Sequence, residues 1–133
     1  MMELACYCGA VRLSVQRSPD FLHECNCLLC RKAGAWWAYY HPDEVRVDGA
    51  TTRWQRSDRA EPAVDVHACA RCGTTTHFTL TPAAITRHGN VQLGVNMKLA
   101  ATADLTGTEL RFPDGAGWDG QGAFGYVADP RIL

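Results

Sequence analysis

The chain has 133 residues, 47% of them hydrophobic and 20% charged, with 13 Lys plus Arg against 14 Asp plus Glu. That length suits one domain with a sizeable core, because a chain this long can bury roughly two-thirds of its unfolded surface. The formal charge of -1 removes the electrostatic case for nucleic acid or an anionic membrane as partner, and no apolar run approaches the ~18 residues that cross a bilayer. The opening Met1-Met2-Glu3-Leu4-Ala5-Cys6 has neither the basic nor the apolar region of a signal peptide, so a cytoplasmic chain is expected. Seven cysteines in a reducing compartment point to metal rather than disulfides, and an odd number would leave one thiol over.

In chain order, the first feature is the pair Cys6-Tyr7-Cys8-Gly9. Val11 to Val15 alternates apolar and polar residues and predicts a half-buried strand, ended by the turn Ser18-Pro19-Asp20. Phe21 to Glu24 predicts a short strand leading into Cys25-Asn26-Cys27-Leu28-Leu29-Cys30. A short helix over 28–33, stopped by Gly34, follows. The aromatic run Ala35 to Tyr40 predicts a strand. Val45–Asp48 and Thr51–Gln55 predict a hairpin turning at Gly49-Ala50. After a polar loop at 57–62 come a strand over 64–68, the pair Cys69-Ala70-Arg71-Cys72-Gly73 and a Thr-rich strand over 74–80. Pro82 to Ile85 suits one helical turn, Val91 to Asn96 a strand, Leu99 to Leu105 a short helix or loop, and Glu109 to Phe112 a last strand. Periodicity then vanishes, so 113–133 is expected to be an irregular tail anchored by Trp118, Phe124 and Tyr126. Strand signals every ~8–12 residues argue for one all-β sandwich or barrel-like domain over 1–133.

The cysteine spacing carries the chemistry. Cys6/Cys8 and Cys69/Cys72, each pair followed by Gly, together supply the four thiolates of a closed structural zinc site. Such a site would staple the start of the chain to its middle. Cys25, Cys27 and Cys30 then remain, and three ligands with an open position are the mark of a catalytic site. A histidine is the other candidate for the fourth position. His23, two residues before Cys25, stands ahead of His41, His67, His77 and His88. Three thiolates weaken the Lewis acidity of zinc, so the open position suits a soft ligand such as a substrate thiol better than a hydrolytic water. Arg31 and Lys32, just after Cys30, either offset the charge or hold a substrate carboxylate, or form a solvated helix face.

In its seven cysteines, in order and spacing, together with Gly9-Ala10-Val11, Arg31-Lys32-x-Gly34 and Gly73, the chain resembles the glutathione-dependent formaldehyde-activating enzyme family. The resemblance covers roughly residues 3 to 115. It implies a β-tent fold of small antiparallel sheets, a structural zinc on the outer pairs and a second zinc on the central trio at the active site. The activity it implies is a carbon–sulfur lyase or synthase reaction that joins formaldehyde to glutathione as S-(hydroxymethyl)glutathione. Asn26 departs from the pattern, since the family commonly has His there. On this reading Cys25, Cys27 and Cys30 hold the catalytic zinc, Trp36 or Trp37 lines the pocket, and Arg31, Lys32 and Asn96 orient polar substrate groups. The alternatives are a non-catalytic thiol- or zinc-binding module and a purely structural β-domain.

Overall fold

In the computed structural model, which describes residues 1–133, the regular structure is mostly strand. In order it forms β1 (Met2–Ala5), β2 (Arg12–Val15), β3 (Leu22–His23), α1 (Leu28–Ala33), β4 (Trp37–Tyr40), β5 (Val45–Asp48) and β6 (Thr51–Trp54). Then come β7 (Val64–Cys69), β8 (Thr75–Leu80), α2 (Pro82–His88), β9 (Leu93–Asn96), β10 (Glu109–Pro113) and β11 (Tyr126–Ile132). Single 3-10 turns occupy 42–44, 97–99 and 102–105.

Three strands make one small sheet in the order β1-β2-β5, and eight make the other in the order β11-β10-β3-β4-β9-β8-β7-β6. Every pairing is antiparallel except that of β10 with β3. The core lies between the sheets. Leu13 and Val15 from the first, with Val11 just before β2, meet Leu22, Val95 and Leu110 from the second and Met97 just after β9, all 1% exposed or less. The inward residues of β2, Leu13 and Val15, alternate with Arg12 and Ser14, as a strand with one wet face requires. No helix is long and apolar enough to cross a membrane.

Besides β1, for which the sequence reading has no strand, the structure departs from that reading in three places. The expected hairpin at Gly49-Ala50 does not form. β5 pairs with β2 and β6 with β7, so the chain crosses there from one sheet to the other. Gly49 has φ +112, and a Cβ on it would collide with the Ala10 carbonyl oxygen. The glycine therefore serves a close backbone crossing rather than a two-strand turn. Second, the 82–85 turn is a full helix to His88, capped by the Thr81 side chain on the Ala84 N–H. Third, the tail is irregular only to Gly125, and β11 then runs antiparallel along β10.

Candidate metal centres and the cavity beside them

The two outer cysteine pairs meet. Cys6 and Cys8 close one knuckle, Cys69 ends β7, and Cys72 follows it in the turn to β8. The ligand atoms of these four lie within 4.8 Å of one another. Sulfurs about 2.3 Å from a tetrahedral zinc stand about 3.8 Å apart. The Cys6–Cys8 and Cys8–Cys69 separations are both 3.7 Å. Backbone N–H groups of Val11, Arg71 and Cys72 point at the Cys6 and Cys69 sulfurs at 3.3–3.4 Å. The Thr74 hydroxyl lies 3.1 Å from Cys72 Sγ, and this contact, reinforced by the Thr74 backbone, draws the Cys72 thiol down to about 5. The donor set fits a closed, thiolate-stabilising metal site.

The central trio is gathered by a helix start. Cys25 follows β3, Cys27 is the N-cap of α1, and Cys30 sits in the first turn. Cys27 Sγ accepts the Cys30 N–H at 3.4 Å, and Cys25 Sγ accepts the Cys27 N–H at 3.5 Å. The buried Trp37 indole donates to Cys30 Sγ at 3.4 Å. All three sulfurs lie within 4.8 Å of one another, and no histidine nitrogen or carboxylate joins them. Cys25 and then Cys30 as hydrogen-bond donors hold the Cys27 thiol well below its ordinary range, with Arg56 adding to the effect. Cys25 and Cys27 in turn push Cys30 far up. Three thiolates gathered this closely require a cation to neutralise them.

His23 does not complete the trio. Its ring is boxed by Phe21, Tyr39, Phe124 and Tyr126, with centroids 4.9–6.3 Å away. Nδ1 pairs with the Tyr39 hydroxyl at 2.9 Å. Nε2 is the one buried side-chain N or O atom without a partner. Burial, then Arg111, lowers the imidazole to about 4, so it is neutral.

A cavity of about 560 Å³ opens on the trio. Phe21, Trp37, Tyr39, Phe78, Trp118 and Phe124 wall it, with His23, Arg56 and Arg59 among the polar residues. Trp37 and Phe78 meet edge to face at 5.0 Å. A second hollow, about 410 Å³, shares Cys25 and Cys30 and is lined by Glu24, Asn26, Arg31 and Lys98.

The expected pocket residues therefore divide. Arg31 borders the second hollow. Lys32, exposed, faces Trp54, Arg56 and Asp58 instead of the trio. Trp37, not Trp36, walls the aromatic cavity, because neighbouring residues of an extended chain face opposite ways. Trp36 turns away, donates to Glu24 at 3.1 Å and lies under the Lys98 ammonium. Asn96 is a buried clamp. Its oxygen accepts the Trp36 and Lys98 N–H groups at 3.2 and 3.1 Å, and its amide donates to the Thr75 carbonyl at 2.9 Å. Both polar atoms bond within the fold, and the residue lines neither hollow beside the trio.

Sequence reasoning missed Arg56, Arg59 and Gly115. The two arginines lie in the connection between β6 and β7, and only the tertiary fold brings them to the trio. Arg56 is tied to Asp58 at 2.8 and 2.9 Å, and Arg59 donates to the Gly115 carbonyl at 2.8 Å. A Cβ on Gly115 would collide with Cys25 Sγ. Asn26 donates to Asp114 at 2.9 Å and accepts the Ala116 N–H at 2.9 Å, which pins this segment over the trio.

A family model described as glutathione-dependent formaldehyde-activating enzyme matches residues 1–105. Among solved structures, the chain is similar to a Rhodobacter sphaeroides protein, a structural-genomics target. The identity is 27% and the TM-score 0.60, over 80% of this chain and 97% of that one. No curated protein matches.

Proposed function

The chain belongs to the glutathione-dependent formaldehyde-activating enzyme family, and on that premise we propose that it is a cytoplasmic, single-domain, zinc-dependent carbon–sulfur lyase or synthase. Its substrates are a small thiol such as glutathione and an aldehyde such as formaldehyde. The observation that carries this reading is the contrast between the two cysteine clusters. Four thiols meet in one, and three border a cavity in the other. On this reading each cluster holds one zinc, the first structural and the second catalytic.

Zinc held by Cys25, Cys27 and Cys30 would lower the pKa of a substrate thiol and keep it as thiolate. The chain's own residues do the rest. The Trp37 N–H and the two backbone N–H groups fix the directions of the ligand sulfurs. The aromatic wall gives the reacting groups a largely apolar surround. The substrate sulfur forms a bond to the carbonyl carbon, the C=O π pair moves to oxygen, and the thiol's proton ends on that oxygen. His23 borders the same cavity, and its buried Nε2 has no partner within the fold.

Formation of S-(hydroxymethyl)glutathione is measured by exchange NMR against the uncatalysed rate. Acceleration by the two-zinc protein, lost in Cys27→Ser, is the expected result. No acceleration with binding of glutathione retained would make the chain a thiol-binding module instead.

A further inference from the structure

The trio stands between two hollows of opposite character. The smaller, about 410 Å³, carries both signs of charge: Glu24 on one hand, Arg31 and Lys98 on the other. Those groups complement a peptide-like thiol, which bears carboxylates and an ammonium. The larger, about 560 Å³, is walled by six aromatic rings. Both are bordered by Cys25 and Cys30, so a sulfur at the open position reaches either.

A one-carbon aldehyde does not use the larger space. Formaldehyde has two heavy atoms, whereas hollows of roughly 300–1,000 Å³ enclose drug-sized molecules. The remaining volume would hold water beside aromatic faces that offer it no hydrogen bonds. Part of that wall lies outside the span matched by the family model. Gly115, Trp118, Gly122 and Phe124 all follow residue 105. Trp118 and Phe124 pack at 4.6 Å with their ring planes tilted by 42°, and Phe124 meets His23 edge to face at 5.8 Å. The Asn26–Asp114 and Arg59–Gly115 contacts hold this wall in place.

We propose that the preferred substrate is the adduct of a charged, peptide-like thiol with a bulky, ring-bearing aldehyde, its thiol half in the Glu24–Arg31–Lys98 hollow and its ring among Trp37, Phe78, Trp118 and Phe124. This rests on the thiol–aldehyde reading above and names its aldehyde. The bond changes are the same. The sulfur joins the carbonyl carbon, and the thiol proton passes to the carbonyl oxygen, so nothing is oxidised or reduced.

Two stable thioethers, S-benzylglutathione and S-methylglutathione, report the hollows without chemistry. Titrated into the metal-loaded protein by calorimetry, the benzyl compound binds about tenfold tighter or better, because it alone buries a ring. Phe124→Ala cuts that preference severalfold, whereas Arg31→Ala weakens both compounds alike. Phe124→Leu, which keeps bulk, retains most of the preference and controls for folding. Exchange NMR with phenylacetaldehyde and with formaldehyde supplies the second arm, with the larger acceleration expected for phenylacetaldehyde. Equal binding of the two thioethers, with formaldehyde still accelerated, overturns the ring-bearing substrate and leaves the thiol–aldehyde reading intact. Acceleration of neither aldehyde overturns both.

Discussion

Asn26 and Asp114, 88 residues apart in sequence, are joined by a 2.9 Å hydrogen bond from the Asn26 amide to the Asp114 carboxylate. The same side chain accepts the Ala116 N–H, and Asp114 also accepts the Gly117 N–H. A residue between two cysteines of the trio thus fixes the segment that roofs it. Asn26→Ala should free that segment while leaving all seven cysteines in place. Two partly exposed bonds are worth about 1–2 kcal/mol together. The expected result is a small loss of stability, faster proteolysis near 114–125 and unchanged metal content. Unaltered proteolysis would show that the roof is held by other contacts.

Gly115 is the roof residue packed against Cys25. Because a Cβ there would collide with Cys25 Sγ, Gly115→Ala must displace either the sulfur or the roof. If the sulfur moves, the three-thiol site loses its geometry while the four-thiol site is untouched. Metal analysis should fall from two ions per chain towards one, with the melting temperature lowered only a little. Two ions retained at full affinity would mean that the roof yields instead.

The four-thiol cluster should govern stability. Cys69 is 2% exposed and belongs to the main core, and its cluster ties the Cys6–Cys8 knuckle to β7. Structural zinc contributes on the order of 10 kcal/mol in small domains, more than the net stability of most. Cys69→Ser, or chelation, should therefore unfold the chain, as read by circular dichroism. Cys27→Ser should leave the fold and remove only the second metal. Equal damage from both substitutions would contradict the division of roles.

A crowded glycine in β9 offers a separate test of the cavity wall. Gly94 faces Phe78 so closely that a Cβ would overlap its ring. Gly94→Ala should cost about 1–3 kcal/mol through overpacking. It should also weaken ligands of the aromatic cavity, since Phe78 can only move into it or away from Trp37. Unchanged stability and binding would mean that the strand shifts to make room.

Much of this was legible because the deciding signals are local. Paired cysteines beside glycines, Gly34 after a short helix, and the alternation at Arg12–Val15 each report their own neighbourhood. Partner choice is not local. Val45–Asp48 and Thr51–Gln55 read as hairpin arms, yet β5 pairs with β2 and β6 with β7. β11 was invisible because it is an edge strand with every residue exposed and a proline within it, so it carries no alternation. Trp36 and Trp37 were interchangeable until the strand's facing was known. Arg56, Arg59 and Gly115 reach the trio only through the fold.

Acid stability tests a stacked pair of imidazoles away from the cavity, of which His77 is buried. His77 is 4% exposed and stacks on His67 at 4.2 Å, with its Nδ1 2.8 Å from the Thr76 hydroxyl. Burial, then the neighbouring His67, lowers His77 from 6.5 to about 3. In the unfolded chain the same ring takes up a proton as pH falls below 6.5, while the folded chain resists until about 3. The unfolded state therefore binds more protons across that window. The stability His77 contributes is fully present above 6.5 and is lost as pH falls towards 3, with a slope approaching about 1.4 kcal/mol per pH unit. Urea unfolding at about pH 7 and about pH 5 should show His77→Gln losing roughly 1–2 kcal/mol less than the unaltered protein. Metal lost through thiolate protonation affects both proteins and cancels in the comparison. Equal losses in the two would mean that His77 is already charged in the folded state, and the His67–His77 stack would need another account.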